Sequence, residues 1–228
     1  MCSSYTTKSK TEKAAYEKNY GKPWLEADLA IAEKYHEADG DAIAFPGAAM
    51  PVITLANPEY IQAYFFGFIP HWISADKVKE KRATFNARIE TIPDLATWRD
   101  AWKNDQRCVV CTNGFFEFNK QEKRKMSIHL KDDACFFYAG IYSDYVNKQT
   151  GEIIRTMAVV TTEANSLVGE IHNRMPVIIP IGNEGLWLKK SADLNQLLKQ
   201  YGEPFNANLM VMEYADEAPN KPIQGSLF

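Results

Sequence analysis

From position 51 onward the chain reads as short runs of β-branched, aromatic and aliphatic residues separated by turn formers: 51–56, 60–66, 107–111, 115–119, 126–130, 135–142, 155–161 and 175–180. Runs of this length and composition between turn signals predict strands. Ahead of them lie two stretches with helical spacing. Residues 11–20 predict a helix that Gly21 stops and Pro23 keeps from resuming, and 25–35 predict a second with a polar face. Shorter helical patches at 95–103 and 192–200 interrupt the strands. Many short strands at hairpin-scale spacing with few interleaved helices predict an α+β fold, a single domain with a mostly antiparallel, barrel-like β-sheet core and peripheral helices. A doubly wound parallel sheet would need helices alternating with its strands, and the pattern does not supply them.

Composition narrows the class. The 228 residues, 46% hydrophobic and 24% charged, are enough for one real core and exclude disorder. There is no repeat or Gly/Ser linker, and apolar segments continue to about residue 212, so the domain is expected over 1–213 with a flexible tail over 214–228. No stretch approaches the ~18 to 20 apolar residues of a membrane helix, and Lys8, Lys10 and Lys13 follow the start without an apolar signal run. A soluble, cytoplasmic protein with no membrane partner is the expectation. The net charge of −3 excludes a broad basic face for duplex nucleic acid, so any such binding must be local or covalent. Four unevenly placed cysteines point to reduced thiols. Cys108 and Cys111 have metal-like spacing but lie on a β-branched run with no second pair and no adjacent His. They are expected in a buried strand, and no metal or cofactor is expected.

Several positions carry chemistry. Removal of Met1 would leave Cys2 with a thiol and an α-amine on one residue. That amine has a reference pKa near 7.7 to 8.0 against ~10.4 for lysine, so far more of it is neutral at pH 7 and able to form a Schiff base. The adjacent thiol can then close onto the imine carbon as a thiazolidine. The plain alternative is an arbitrary second residue at a loose terminus. Glu117, in Gly114-Phe115-Phe116-Glu117-Phe118, is a carboxyl bracketed by aromatics. Strand alternation puts it with Phe115 and opposite Phe116 and Phe118. Such a carboxyl loses hydration and becomes suited to passing a proton, although a solvent-facing strand Glu fits equally. His172 and Arg174, two apart, join an imidazole to a phosphate-binding guanidinium if the segment is extended. Asn86 and Arg88 repeat the arrangement with an orienting amide. Trp72, beyond Pro70, is the ring of its loop most open to stack on a base. The Lys-rich runs at 77–82 and 120–125 read as solvated faces that could add local phosphate attraction.

Taken together, Cys2, Phe66-Gly67-Phe68-Ile69-Pro70-His71-Trp72, Asn86-Ala87-Arg88-Ile89-Glu90-Thr91, the Glu117 run and Ile171-His172-Asn173-Arg174-Met175-Pro176-Val177 resemble the SRAP family of abasic-site processing proteins. The matches fall in the family's order from residue 2 to about 180. The resemblance implies a monomer that binds single-stranded DNA containing abasic sites and crosslinks to it through Cys2, with self-processing peptidase and lyase side activities. It implies that Asn86 orients Cys2, Glu117 shuttles protons and His172 assists opening of the sugar, with Arg88, Arg174 and Trp72 as DNA contacts. It further implies a bacterial, nucleoid-associated protein of the DNA-damage response. The chain departs from the family in reading Met1-Cys2-Ser3-Ser4 where Met-Cys-Gly-Arg is usual, which removes an expected DNA-contacting arginine, and in having Phe118 for the common Trp. Rival readings are an N-terminal-nucleophile amidase using the Cys2 amine as base, and a single-strand binding module without chemistry. Separately, Gln224-Gly225-Ser226-Leu227-Phe228 resembles a sliding-clamp-binding peptide, in which Gln224, Leu227 and Phe228 would make the contacts.

Overall fold

The computed structural model describes residues 4–7, 13–35, 42–80 and 84–215. In chain order these form β1 (Ser4–Thr7), α1 (Lys13–Tyr20), α2 (Glu26–Tyr35), β2 (Ala42–Ala44), β3 (Ala49–Thr54) and β4 (Asn57–Phe66). A 3-10 turn over Ala75–Glu80 precedes β5 (Asn86–Arg88), α3 (Arg99–Lys103), β6 (Arg107–Thr112), β7 (Gly114–Asn119) and β8 (Arg124–Leu130). The long strands β9 (Phe136–Val146) and β10 (Ile153–Glu163) follow, then β11 (Arg174–Pro176), β12 (Ile178–Pro180), α4 (Leu194–Gly202) and β13 (Met210–Tyr214).

The expected barrel-like core is present. Strands β4, β3, β6 and β9 pair in that order, β9 pairs β10, and β10 returns to β4, closing a five-stranded barrel in which the β10–β4 seam alone is parallel. A second sheet, ordered β13-β8-β7-β1-β2, is antiparallel throughout.

Burial on both faces explains why β6 reads Arg-Cys-Val-Val-Cys-Thr with every residue buried. Its alternate side chains serve two cores. Val109 and Cys111, with Ala158 and Val160 of β10, join an aromatic cluster that includes Trp98, Trp102 and Trp187. Cys108 and Val110, with Met157 and Val159, join Tyr5, Phe115 and Ile128 of the second sheet. The two thiols are therefore apolar filler, and burial pushes both well above the usual thiol range. Trp187 anchors the first cluster, fully buried with its Nε1 donating to the Cys108 carbonyl at 2.9 Å. Its truncation to Ala would cost about 3–5 kcal/mol. Helix α1 contributes one face to the same cluster, since Tyr16 and Tyr20, four residues apart, are both buried and stack at 5.8 Å.

The run 175–180, expected as one strand, is divided. Strands β9 and β10 separate beyond Gly140 and Val159, and the segment from Arg174 fills the gap: β11 pairs β10, β12 pairs β9. Val177 bridges both, donating to the Val160 carbonyl and accepting from the Ala139 amide, each at 2.9 Å. At the start of that divergence Gly140 is required, because a Cβ there would sit 2.8 Å from Cys108 Sγ and 3.3 Å from the Ala158 carbonyl oxygen. This wedge delivers the loop bearing His172 to the second sheet.

Candidate active site

Strand β7 places its side chains as simple alternation predicts. Phe115 and Glu117 are buried, Phe116 is half-buried and Phe118 is exposed. Register then sets the neighbours: Ser4 of β1 lies opposite Phe116, while Met126 and Lys125 of β8 lie opposite Glu117 and Phe118. Around Glu117 opens a cavity of about 480 Å³. Ser4, Phe45, Phe116 and Phe118 line it together with Glu117, and Lys120, Lys125 and His172 complete the wall. Phe45 is presented by a turn in which Gly47 takes φ 96° and donates to the Phe66 carbonyl at 2.7 Å. A larger cavity of about 550 Å³ beside β12 and the end of α4 is lined by Tyr201, Glu203 and Phe205 among others, and its carboxylate, Glu203, is exposed.

Glu117 is 7% exposed, and among the described residues its Oε1 makes no hydrogen bond. It stands 4.0 Å from His172 Nδ1. That nitrogen accepts from the Arg174 amide at 3.0 Å, which puts the neutral ring's proton on Nε2. Once protonated, Nδ1 can instead donate to the Arg174 carbonyl at 3.1 Å. The imidazole thus has a backbone partner in either protonation state, beside a buried carboxylate.

Arg174 itself is 8% exposed, and its guanidinium makes a two-pronged pair with Glu90 at 2.7 and 2.9 Å and a bond to the Thr161 carbonyl at 2.7 Å. Glu90 is partly desolvated, which alone would raise its pKa, yet the bonds and charge of Arg174 outweigh that and hold the carboxyl below its usual range. Arg88, on β5 beside Thr161, is exposed. Asn86 lies two residues earlier on the same face of β5, and its Oδ1 accepts from Tyr5 Oη at 3.0 Å. Trp72 is 48% exposed, outside the cavity, with its Nε1 donating to the Ala96 carbonyl at 3.2 Å.

The profile of the SRAP family, SOS response associated peptidase, matches residues 1–220. The chain belongs to the SRAP family. It is 30% identical over 164 residues to abasic site processing protein YoqW of Bacillus subtilis (strain 168), covering 71% of each chain. Abasic site processing protein HMCES of Xenopus tropicalis is 22% identical over 196 residues, covering 76% of this chain and 54% of that one. Among solved structures, a protein from Bacteroides thetaiotaomicron superposes with a TM-score of 0.80 at 27% identity, covering 99% of this chain and 100% of its own.

The SRAP fold thus brings Glu117 and His172 together, with Ser4 on the same cavity, and sets Asn86 and Arg88 on one strand face. It does not bring Trp72 to that cavity, and it engages Arg174 internally. Cys2 and the peptide containing Gln224, Leu227 and Phe228 lie outside the described residues. Two residues around the site, Tyr5 and Glu90, were not singled out in the sequence, and Lys125, expected on a solvated face, lines the cavity instead. Glu90 was visible in principle, two residues past Arg88 in an extended run, but its partner is 84 residues away. Among the described residues no cluster of His, Cys, Asp or Glu could hold a metal, and no helix is long and apolar enough to cross a membrane.

Proposed function

We propose that this chain processes abasic sites in single-stranded DNA, linking itself covalently to the lesion through Cys2 after loss of Met1. The observation that carries this reading is the position of Ser4, which lines the cavity holding Glu117 and His172. Two residues of chain span at most about 7 Å, so the Cys2 amine and thiol are within reach of that cavity. The cavity's volume, about 480 Å³, suits a deoxyribose with its flanking phosphates.

The chemistry follows from the groups present. An abasic sugar is a masked aldehyde, and opening it moves the proton of the C1′ hydroxyl to the ring oxygen. His172, able to hold a proton on either nitrogen, serves that transfer. The Cys2 amine adds to C1′, forming a carbinolamine. Glu117 takes a proton from nitrogen and returns it to the hydroxyl, which leaves as water to give the imine. The Cys2 thiol then adds to C1′, closing a ring with C–N and C–S bonds on the same carbon. Without the thiol the imine can lose the 3′ phosphate by β-elimination, a lyase reaction. Glu117 and His172 can also serve hydrolysis of the bond after Met1, adding water to the Met1 carbonyl and returning a proton to the Cys2 nitrogen, which leaves as the free amine. Exposed Arg88 contacts backbone phosphate and exposed Phe118 and Trp72 offer stacking faces, a mode that needs no basic net charge.

A denaturing gel after incubation with single-stranded oligonucleotides, with and without an abasic site, tests the reading. A lesion-dependent band that resists heating is expected, lost in Cys2→Ala and when Met1 is retained. Binding without a band would leave a DNA-binding module, and amide turnover without a band an amidase. A heat-stable band from Cys2→Ala would overturn the thiazolidine.

A further inference from the structure

The cavity holds a cation that the chemistry above does not use. Lys125 stands on β8 opposite Phe118, and its Nζ lies 4.0 Å from the centroid of the Phe116 ring. In the run Lys123-Arg124-Lys125 strand alternation separates the neighbours: Arg124 stacks on Tyr214 at 3.5 Å, while Lys125 turns into the cavity. None of the ion pairs among the described residues includes Lys125. Burial pulls its ammonium below the usual lysine range. The Phe116 ring holds the charge in place through its negative face but cannot replace a counter-ion. Ser4, opposite Phe116, brings a short neutral side chain to the same cavity. Lys120 stands exposed on the same wall.

We propose that Lys125, with Lys120 at the rim, binds the DNA backbone phosphate flanking the lesion; this rests on reading the cavity as the pocket for the abasic sugar. A part-desolvated ammonium with no ion-pair partner among the described residues is one half of a charge-assisted pair, and a phosphate oxygen supplies the other. The arrangement also divides the cavity by charge. The buried Glu117 carboxylate, which would repel a phosphate, makes no ion pair with Lys125 among the described residues. The cation therefore draws the backbone to one wall and leaves C1′ to the amine and the carboxylate. It also supplies a positive charge in the cavity where Ser4 brings none.

Binding of a short undamaged oligothymidylate, titrated between about 0.05 and 0.2 M salt, measures the contact apart from the crosslinking step. Each neutralised phosphate adds about 0.7 to the slope of log affinity against log salt for single strands. Lys125→Gln is expected to lose about that much slope, and Lys125→Arg to keep it. Thermal melting establishes that both variants fold. A parental slope in Lys125→Gln, in a protein whose parent crosslinks to abasic DNA, overturns the phosphate contact and leaves the proposed function standing. A parent that binds undamaged strands yet never crosslinks removes the proposed function, while the slope still decides for or against Lys125. A borohydride-trapped abasic sugar mapped to Lys125 in the Cys2→Ala protein also overturns the assignment, because the amine itself would then be the reactant.

Discussion

Two buried carboxylates in this chain have opposite surroundings. Asp28 of α2, fully buried, accepts from Arg155 through two nitrogens at 2.9 and 2.5 Å and from the Ala63 amide at 3.0 Å. It ties a helix to the barrel and leaves neither of its oxygens idle. Glu117, almost as buried, has a histidine at 4.0 Å and, among the described residues, an oxygen with no hydrogen bond at all. Burying a carboxylate oxygen without a partner is costly, and here that cost falls on a side chain that lines a cavity. Asp28 is held in place through both oxygens. Glu117, among the described residues, is held less fully.

The comparison breaks most sharply by substitution of each. Glu117→Gln removes a proton-transfer group and should slow crosslinking by about 10² to 10⁴-fold, with little change in melting temperature. Single-turnover gels and a thermal melt read both quantities. Parental rates would show that Glu117 is as structural as Asp28. Asp28→Ala should do the reverse, leaving the half-buried Arg155 without this counter-ion and the buried Ala63 amide without its acceptor, and costing about 3–5 kcal/mol. For a chain of this size that lowers the melting temperature by about 6–20 °C. Crosslinking measured well below the transition should be retained.

How far the sequence shows this contrast depends on the range of the interactions. The alternation that buries Glu117 beside Phe115 is local, and it reads correctly from five residues. So do the apolar runs of β3, β4, β6, β9 and β10, since strands covered on both faces need continuous apolar text. β1, β2, β5 and β13 are short, and β1 and β5 are largely polar. They exist because a neighbouring strand supplies their hydrogen bonds, and nothing in Ser4-Tyr5-Thr6-Thr7 announces that. The break in 175–180 likewise depends on how β9 and β10 diverge. Asp28 and Arg155 are 127 residues apart, and neither position marks the other. Lys125 was legible only as part of a charged run, because facing the cavity is a property of the β7–β8 register.

The two arginines sharpen the contrast at smaller amplitude. Arg88 is exposed and should act on DNA, so Arg88→Ala is expected to weaken single-strand binding and flatten its salt dependence by about 0.7 in slope. Arg174 joins β11 to the turn after β5 through Glu90, and Arg174→Ala should show first as lost stability. The Glu90 side chain is 45% exposed, so solvent screening limits the pair to about 1 kcal/mol. Its sign with pH is fixed by the depressed carboxyl. The stabilisation is present above the ordinary carboxylate range and is lost as pH falls through Glu90's lower folded value. Melting temperatures of the parent and Glu90→Gln should therefore converge on acidification. A gap that widens instead would mean the pair is not what holds these strands together.

The smallest expected effect concerns Tyr5, which connects the strand leading back to Cys2 with Asn86. Its ring is fully buried, 5.2 Å from Phe66 and 5.0 Å from Tyr138 by centroid, and its hydroxyl donates to Asn86 Oδ1 at 3.0 Å. That bond fixes which end of the amide is the acceptor and so where the Asn86 NH2 group is directed. Tyr5→Phe keeps the ring packing and removes one hydrogen bond, worth about 0.5–1.5 kcal/mol, or roughly 2- to 12-fold in crosslinking rate. A structural role alone could produce a loss of that size, so the informative measurement is a cycle with Asn86→Ala. If Tyr5 acts by orienting Asn86, Tyr5→Phe should cost nothing further once Asn86 is alanine. Additive losses in the double variant would show that the two side chains work independently and that Tyr5 is only a packing residue of the second sheet.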